Sequence, residues 1–349
     1  MIPIVSIMKE NKKDMVSGCL FGLALGDGWG YTNEFLSYSK IKSKWGPMGL
    51  QQPKEGVIKV SDDTQMTLAV GRAIQKTYVK EQIDKNEFEN KLILEFINWY
   101  SDQTNDRDPG KTILNVCEKL AKGENWKNVT SLISKGSGAN MRVTPIGLLS
   151  VKSENFDETL LGKMAQFQSA ITHAHPTALA ASELTAICIH LLVNEVSLDE
   201  LLERLFDYCE KNKNQYHSDW LGDLWKRSRF DSYNRFISLG WEECGKMLTR
   251  VKHGLSQFKQ GQDPCSFTGD GWVADQALGT ALLSFLLDPS DSVGALRRAI
   301  NTNGDSDTIG CITGAMAGAH NGISSLPKDW IDELEYRDEI NNQINFFCQ

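Results

Sequence analysis

The chain has 349 residues, of which 41% are hydrophobic and 23% charged, a balance typical of a soluble globular protein with a sizeable core. Its formal net charge is −8, which argues against nucleic-acid binding because that function favours a basic patch. The eight cysteines include no C-x-x-C pair, so we expect reduced thiols in a cytoplasmic protein that has no membrane segment.

The first helix is predicted near Met15–Leu25, and it is too short and too glycine-rich to span a bilayer. Before it, MIPIVSIMKENKK places apolar residues ahead of lysines, which is the reverse of a signal peptide. The helix is expected to break in LGDGWGYTNEF, a Gly-rich turn that carries Asp27 and Glu34. On local grounds alone, these acids cap a turn and face solvent.

Apolar residues spaced three and four apart predict eight further helices. These are Met66–Lys80, Phe88–Tyr100, Leu160–Ala170, Ala178–Val193, Leu198–Cys209, Val273–Leu287, Val293–Ile300 and Asp307–Ala319. Neither a series of alternating strands nor a long linker is evident, so we predict one all-α domain over residues 1–349. Two stretches are less regular, at 35–60 and 211–233. The second is rich in tryptophan and basic residues and is interpreted as a surface insertion.

An acidic cluster precedes the Met66–Lys80 helix, in the sequence SDDT at positions 61–64. The local interpretation is helix capping, because Asp62 and Gln65 have the spacing of a capping box and acids suit the start of a helix. A second cluster of the same kind, DSDT at positions 305–308, opens the Asp307–Ala319 helix. One aspartate would suffice for a cap there, so the second requires another explanation.

Glycine recurs at every fourth position after the second cluster, at residues 310, 314, 318 and 322, and so lies on one face of the predicted helix. Each glycine costs helix stability, by roughly 1 kcal/mol relative to alanine. We therefore expect this face to pack closely against another backbone.

The two acidic clusters suggest a metal site if their helix starts converge. Carboxylates that close resist joint ionisation unless a cation compensates their charge. Oxygen donors without Cys or His suit Mg²⁺, Mn²⁺ or Ca²⁺ better than Zn²⁺. One or two such cations would activate a water molecule as a nucleophile. Glu34 is a candidate to join this site as a ligand or as a gate.

Three segments in this order resemble the ADP-ribosylglycohydrolase family, which includes dinitrogenase-reductase-activating glycohydrolases and ADP-ribosylarginine hydrolases. They are GCLFGLALGDGWGYTNEF, SDDTQM and NGDSDTIGCITGAMAGA, and the likeness covers about residues 15–322. It implies a compact all-helical fold with a dimetal cleft, and residues 1–14 become an N-terminal extension. The implied ligands of two Mg²⁺ or Mn²⁺ ions are Ser61, Asp62, Asp63, Asp305, Asp307 and Thr308.

Further matches to this family extend the predicted site. The loop GSGANMRVTPIGLL is similar to the family's ADP-ribose-binding loop, which implies ligand contacts from Gly136, Ser137, Gly138, Met141 and Arg142. His173, in a Thr-His segment, and Trp272, at a helix start, are further candidates, although each also suits the core. RDPGKT resembles a segment that supplies acid or base chemistry, so Asp108 joins Asp62, Asp63 and Glu34 as a catalytic candidate.

The resemblance implies hydrolysis of the glycosidic bond between ADP-ribose and a protein side chain, with arginine favoured over serine. Bacterial relatives oppose a specific ADP-ribosyltransferase, in regulation or as immunity against a toxin. A cognate transferase would contact residues 1–14 or 211–233, unless these are only a frayed end and a solvated loop. The alternatives are a non-catalytic protein that occludes a transferase, and a metal-dependent phosphoesterase that releases AMP.

Overall fold

The computed structural model describes residues 4–102, 106–153 and 156–349, with the backbone alone for residues 4–9. Helices dominate the first part of this described chain: α1 Ile4–Gly30, α2 Tyr38–Trp45, α3 Asp62–Thr77, α4 Lys85–Ser101, α5 Lys111–Ala121, α6 Trp126–Val129, α7 Thr144–Gly147, α8 Glu158–Ala170 and α9 Pro176–Val193. They continue to residue 348: α10 Leu198–Lys211, α11 Ser218–Leu221, α12 Tyr233–Gln257, α13 Cys265–Thr268, α14 Ala274–Leu286, α15 Ser292–Ile300, α16 Ser306–Asn321, α17 Lys328–Asp332 and α18 Arg337–Cys348.

Short 3₁₀ helices and one hairpin complete the described secondary structure. The 3₁₀ helices are Ser137–Ala139, Leu148–Val151, Leu224–Arg227 and Ile323–Ser325. The hairpin pairs strand β1, Tyr78–Val79, antiparallel to strand β2, Gln82–Ile83. Lys80 and Glu81 form its turn with positive φ angles, so the helix predicted to reach Lys80 ends at Thr77. The predicted all-α single-domain fold is confirmed, and all nine predicted helices are present.

Helices α1 and α16 form the central contact of the fold. Glycines of α1 face glycines of α16 in three pairs: Gly18 with Gly318, Gly22 with Gly314 and Gly26 with Gly310. A Cβ on any of them would overlap backbone atoms of the opposite helix. The predicted close approach is thus present, and its partner is the first helix. The last glycine of the predicted stripe, Gly322, instead ends α16 with a φ of 75°.

The Gly-rich turn expected at Asp27 is not a turn. Helix α1 continues through this segment and ends at Gly30, because its glycines lie against α16 and close packing offsets their poor helix propensity. Asp27 is therefore fully buried on a helix rather than solvated. The predicted extension at residues 1–14 joins the same helix from Ile4 onward, and residues 1–3 lie outside the described residues.

Helix α9 forms part of the core. It is long and apolar enough to cross a membrane by length and composition, but 94% of it is buried inside the protein. It packs between α8, α12 and α14, as a central helix of a globular core does.

Both irregular segments contain helices. The stretch 35–60 includes α2, and the stretch 211–233 includes α11. Although 211–233 was predicted as a surface insertion, it contributes buried aromatic residues. The ring centroid of Trp220 lies 5.5 Å from that of Phe167 and 6.1 Å from that of Phe88. This segment therefore closes one side of the core while its charged residues remain at the surface.

Candidate functional site

A cavity of about 390 Å³ opens where the starts of α3 and α16 converge. Most of the predicted site residues line it: Glu34, Asp62, Asp63, Asp108, Gly136, Ser137, Gly138, Met141, His173, Trp272, Asp305, Asp307 and Thr308. The two that do not are Ser61 and Arg142. The structure thus brings both acidic clusters, the glycine loop and the RDPGKT segment together around one space.

Helix α3 begins at a cap that differs from the predicted one. Ser61, not Asp62, is the N-cap, and its Oγ accepts a hydrogen bond from the backbone N–H of Asp63 at 3.2 Å. Gln65 does not close a capping box, because its amide contacts Trp99 and Tyr336. Ser61 is therefore placed as a structural cap, whereas the carboxylates of Asp62 and Asp63 remain available to the cavity.

Asp27 of α1 holds the start of α3 through hydrogen bonds. Its Oδ1 accepts from the backbone N–H of Ser61 at 2.9 Å, and its Oδ2 accepts from the backbone N–H of Thr64 at 3.0 Å. The hydroxyl of Thr64 donates to the same Oδ2. A carboxylate on α1 thereby satisfies donors that a helix start leaves unpaired. Sequence reasoning assigned Asp27 no place in the site, and its spacing from SDDT contains no local signal of this contact.

Helix α16 begins at Asp305, whose side chain makes no capping hydrogen bond. Instead, its Oδ2 accepts from the hydroxyl of Ser137 at 2.7 Å. The hydroxyl of Ser306 donates to the carbonyl of Gly30, which ties this helix start to the end of α1. Asp305 therefore occupies the N-cap position that the local interpretation predicts, but its carboxylate also lines the cavity.

Carboxylate oxygens are crowded at the base of the cavity. Atoms of Glu34, Asp305 and Asp307 lie within 4.8 Å of one another, which is close enough for one ion to contact all three. Asp63 Oδ2 and Asp307 Oδ1 are buried and have no hydrogen-bond partner among the described residues. Buried oxygens of this kind are costly unless something pairs with them.

The pKa values of these acids also indicate that their ionised forms need a positively charged partner. Burial, followed by the charge of neighbouring acids, raises the pKa of Glu34 to about 9 and that of Asp62 to about 8. Burial raises the pKa of Asp305 to about 6, against the hydrogen bond from Ser137. The pKa values of Asp63 and Asp307 are also raised well above the ordinary range, first by burial and then by nearby carboxylates.

An all-oxygen donor set with unpaired buried carboxylates fits a divalent cation such as Mg²⁺ or Mn²⁺. Such a cation would replace the missing partners of Asp63 and Asp307 and lower the raised pKa values. Of the predicted ligands, Ser61 alone lies outside the cavity lining. Glu34 lies with the ligand carboxylates, which is the position expected for a ligand or a gate.

One wall of the cavity is formed by the glycine loop, which contacts Asp305 through Ser137, and by His173. A Cβ on Gly136 would lie 3.4 Å from His173 Nε2, and one on Gly138 would lie 3.2 Å from His173 Cε1. His173 Nδ1 is 2.8 Å from the hydroxyl of Thr172. Burial, followed by the charge of Arg142, lowers the pKa of His173 to about 3. The imidazole is therefore neutral at physiological pH.

Arg142 lies behind this wall rather than in it. Its guanidinium donates to Gln168 Oε1, to the Gln168 carbonyl and to the Thr172 hydroxyl, at 2.8 to 2.9 Å. It also lies 4.3 Å from the ring centroid of Phe96. The structure places this predicted ligand-binding residue as a buried support for Thr172 and His173, not as a direct contact for a ligand. The match to the family loop did not distinguish these two roles.

Two aromatic rings meet at the mouth of the cavity. Trp272 stacks on Phe35, with ring centroids 5.4 Å apart and an interplanar angle of 17°. Both remain exposed, at 40% for Trp272 and 63% for Phe35. Sequence reasoning proposed Trp272 and assigned no role to Phe35, although an exposed aromatic directly after Glu34 was a usable signal.

Asp108 lies on the rim, held by neighbours on both sides. Its Oδ2 accepts from the hydroxyl of Tyr31 at 2.9 Å, and its φ of 52° lies in the left-handed region that Asp tolerates. The preceding Arg107 pairs with Glu335 through two nitrogens at 2.8 Å and donates to the carbonyl of Val60 at 2.6 Å. Arg107 thereby fixes the Asp108 segment to the residue just before the SDDT cluster.

Comparisons with known proteins agree with this arrangement. The ADP-ribosylglycohydrolase family model matches residues 8–347. The chain is 26% identical to ADP-ribosylhydrolase ARH3 of Mus musculus, over 93% of this chain and 88% of that protein. It is 25% identical to ADP-ribosylarginine hydrolase Tri1 of Serratia proteamaculans, over 97% and 80% respectively. In fold it is similar to an ADP-ribosylglycohydrolase-related protein complex, with a TM-score of 0.67 and 20% identity over 97% of this chain and 98% of that one.

Proposed function

The chain belongs to the ADP-ribosylglycohydrolase family, and from this premise we propose that it removes ADP-ribose from modified arginine side chains of proteins. The observation that carries the proposal is the meeting of both acidic clusters, the glycine loop and Asp108 around one cavity. Such a cavity has the size of a small-molecule site, with charged groups at its base and an aromatic mouth. The reaction would reverse that of an ADP-ribosyltransferase.

The choice of arginine rests on charge. A guanidinium is a cation with five N–H donors, and carboxylates are its natural partners. Carboxylates line the cavity both at its base, where Glu34 lies beside Asp305 and Asp307, and at its rim, where Asp108 lies. A serine linkage brings no positive charge and gains nothing from an acidic rim. The relative from Serratia proteamaculans, whose printed name specifies ADP-ribosylarginine, supports the same choice.

Each part of the site has a task in this proposal. Asp62, Asp63, Asp305, Asp307 and Thr308, together with Glu34, would hold one or two Mg²⁺ or Mn²⁺ ions at the cavity base. When bound, these ions supply Lewis-acid chemistry and orient ribose hydroxyls and water.

The remaining residues act on the ligand and on protons. The glycines at 136 and 138 leave room for a diphosphate to approach backbone N–H groups, and Lys111 on the same rim offers a cation for it. Trp272 would stack on a base or sugar at the mouth. Asp108 accepts a hydrogen bond from Tyr31 and faces the cavity, so it is placed to exchange a proton with the leaving guanidine.

Measurement of ADP-ribose release from an arginine-modified protein tests the proposal. The protein is incubated with Mg²⁺, with Mn²⁺ and with EDTA, and the products are identified by mass spectrometry. We expect release of intact ADP-ribose in the presence of Mg²⁺ or Mn²⁺ and no release in the presence of EDTA. Release of AMP would instead indicate a phosphoesterase, and release only from a serine-modified protein would correct the linkage.

A non-catalytic protein that occludes a transferase is the remaining alternative. Asp62→Ala and Asp305→Ala variants that fold normally and lose release would exclude it. If the wild-type protein releases nothing and instead binds a transferase, this alternative is correct. A role in immunity against a transferase toxin would require that co-expression of the active protein, but not of the Asp62→Ala variant, restores growth.

A further inference from the structure

A second cavity, of about 360 Å³, lies outside the site described above and has the opposite electrostatic character. Three cationic side chains line it, Lys42 of α2 with Arg297 and Arg298 of α15. Asp291 is its only lining carboxylate within the described chain. This concentration of positive charge is unexpected on a chain whose formal net charge is −8.

The three cations have free hydrogen-bonding capacity. None forms an ion pair within the ranges that the structure describes. Lys42 Nζ donates to the carbonyl of Gly261 at 3.1 Å, and Arg297 Nε donates to the carbonyl of Gln51 at 2.9 Å. The Lys42 ammonium also lies 4.3 Å from the centroid of the Tyr38 ring, and Arg298 Nε donates to the carbonyl of Ser284 at 3.1 Å. Arg298 Nη2 is buried and has no hydrogen-bond partner among the described residues.

Asp291 offsets only part of the charge of this group of cations, because one carboxylate faces three cationic side chains. Its Oδ1 accepts the backbone N–H of Gly294 at 2.8 Å, because Asp291 is the N-cap of α15. Two guanidinium groups and an ammonium group therefore face a cavity with one engaged carboxylate. Guanidinium forks bind phosphate and carboxylate oxygens in pairs, and a lysine adds a point charge.

The lining of this cavity also includes apolar and aromatic side chains. Ile41, Met48 and Phe258 line it, and Met48 is 69% exposed. Tyr38 also lines it, with its hydroxyl fixed by the carbonyl of Gly261 at 2.8 Å. A ligand that fits both the cationic and the apolar lining residues carries an anionic group at one end and a flat or apolar group at the other. The volume is that of a small organic molecule rather than of a lone ion.

We propose that this second cavity binds a phosphorylated small molecule of nucleotide size, with its phosphate groups on Lys42, Arg297 and Arg298 and its ring against Met48 and Phe258. The binding is separate from the hydrolytic site, and its measurement requires no turnover.

Isothermal titration calorimetry tests this with inorganic pyrophosphate and with ADP as probes. EDTA is present, so that no metal ion in the first cavity can attract the phosphate groups of either probe. Saturable binding is expected for both, and tighter binding for ADP. The double variant Lys42→Ala/Arg297→Ala should weaken both by about tenfold or more, since each lost charge-assisted contact is worth about 1.5 kcal/mol.

Matched variants locate the binding. Arg204→Ala/Lys211→Ala removes the same two charges from α10, which lines neither cavity, and should change affinity less than about twofold. Met48→Ser, at an exposed position, should weaken the binding of ADP and leave the binding of pyrophosphate unchanged. Binding that survives the Lys42→Ala/Arg297→Ala change would overturn the proposal. So would the absence of saturable binding below about 1 mM by either probe.

Discussion

The backbone of Gly22 lies so close to that of Gly314 that no side chain fits between α1 and α16 at this point. An alanine at position 314 would place its Cβ against the Gly22 carbonyl, which cannot move without displacing the helix that carries Asp27. We expect Gly314→Ala to lower the free energy of unfolding by about 3 kcal/mol and Gly314→Leu by more. Denaturant titration measures this.

A second helical glycine provides the control. Gly245 of α12 has open space where a Cβ would be built. Gly245→Ala should therefore stabilise the protein by about 0.5 kcal/mol through helix propensity alone. Equal effects of the two alanine substitutions would show that the α1–α16 contact does not depend on glycine.

Metal-free protein should lose stability as pH rises. The raised pKa values of Glu34, Asp62 and Asp305 mean that these groups bind more protons in the folded than in the unfolded chain. Their protonated forms therefore contribute to the free energy of unfolding. This contribution is at its maximum below about pH 4 and is lost as the pH rises towards 8 or 9. A melting temperature in EDTA that drops by about 3 °C or more between pH 5 and pH 8 is expected.

Divalent cations should reverse this trend. Mg²⁺ or Mn²⁺ is expected to raise the melting temperature more at pH 8 than at pH 5, because metal binding requires ionised carboxylates. Asp63→Asn removes one of the unpaired carboxylates, so it should raise the metal-free melting temperature at pH 8 and reduce the metal-induced gain. An equal gain from metal at both pH values, unchanged in this variant, would show that the ions bind elsewhere.

Asp108 should contribute more to turnover than to binding. Asp108→Asn keeps the left-handed backbone accessible and the side-chain size, but it loses the basic carboxylate. We expect kcat to fall by about 10²–10⁴-fold with KM little changed, as for loss of a general acid or base. Tyr31→Phe, which removes the hydroxyl that contacts Asp108, should reduce kcat by less than about tenfold.

The neighbouring aspartate is the control for this experiment. Asp106 is exposed and contacts Arg107 only at the surface, so Asp106→Asn should retain near wild-type kcat. If Asp108→Asn retained activity too, proton exchange would have to be assigned to Asp62 or Asp63.

Arg142 should be a stability residue rather than a ligand contact. Arg142→Lys retains the charge but cannot satisfy both acceptors on Gln168 and the hydroxyl of Thr172. The free energy of unfolding should fall by about 3 kcal/mol, whereas KM changes little at a temperature where the variant is folded. His173→Ala should show the opposite balance, with a larger effect on KM. A stable Arg142→Lys variant with a strongly raised KM would contradict the observed position of the guanidinium.

The elements that sequence reasoning identified are those whose signal is local. Helical periodicity predicted nine of the described helices but missed α5, α12 and α18. The spacing of residues 310, 314 and 318 correctly required a close backbone partner. Periodicity predicted the end of α3 three residues too late, at Lys80. The hairpin turn there has positive φ angles, which the residue types at these positions do not indicate. Periodicity also missed α2, which buries only Ile41.

The contacts that escaped prediction are tertiary. Asp27 has the local appearance of a solvated turn residue, and only the packing of α1 against α16 and α3 makes it the anchor of Ser61 and Thr64. Arg142 shares a loop with residues that line the cavity, and only its burial against Phe96 places it behind the wall. Ser61 has a hydroxyl suited to a cation, and the same oxygen also accepts the hydrogen bond that caps α3. Sequence alone cannot rank such competing uses of one side chain.

The contact between Ser306 and Gly30 joins residues 276 positions apart in the chain. Ribosomes add about 5–20 residues per second, so α1 leaves the ribosome roughly 15–55 s before α16 exists. During that interval the glycine face of α1 has no partner, and its weak helix propensity leaves the segment open to rearrangement. The acids that the two helices bring together cannot act on a cation until synthesis is nearly complete. The carboxylates of the first cavity therefore come together only after the start of α16 has been synthesised, although α17 and α18 still follow it in the chain.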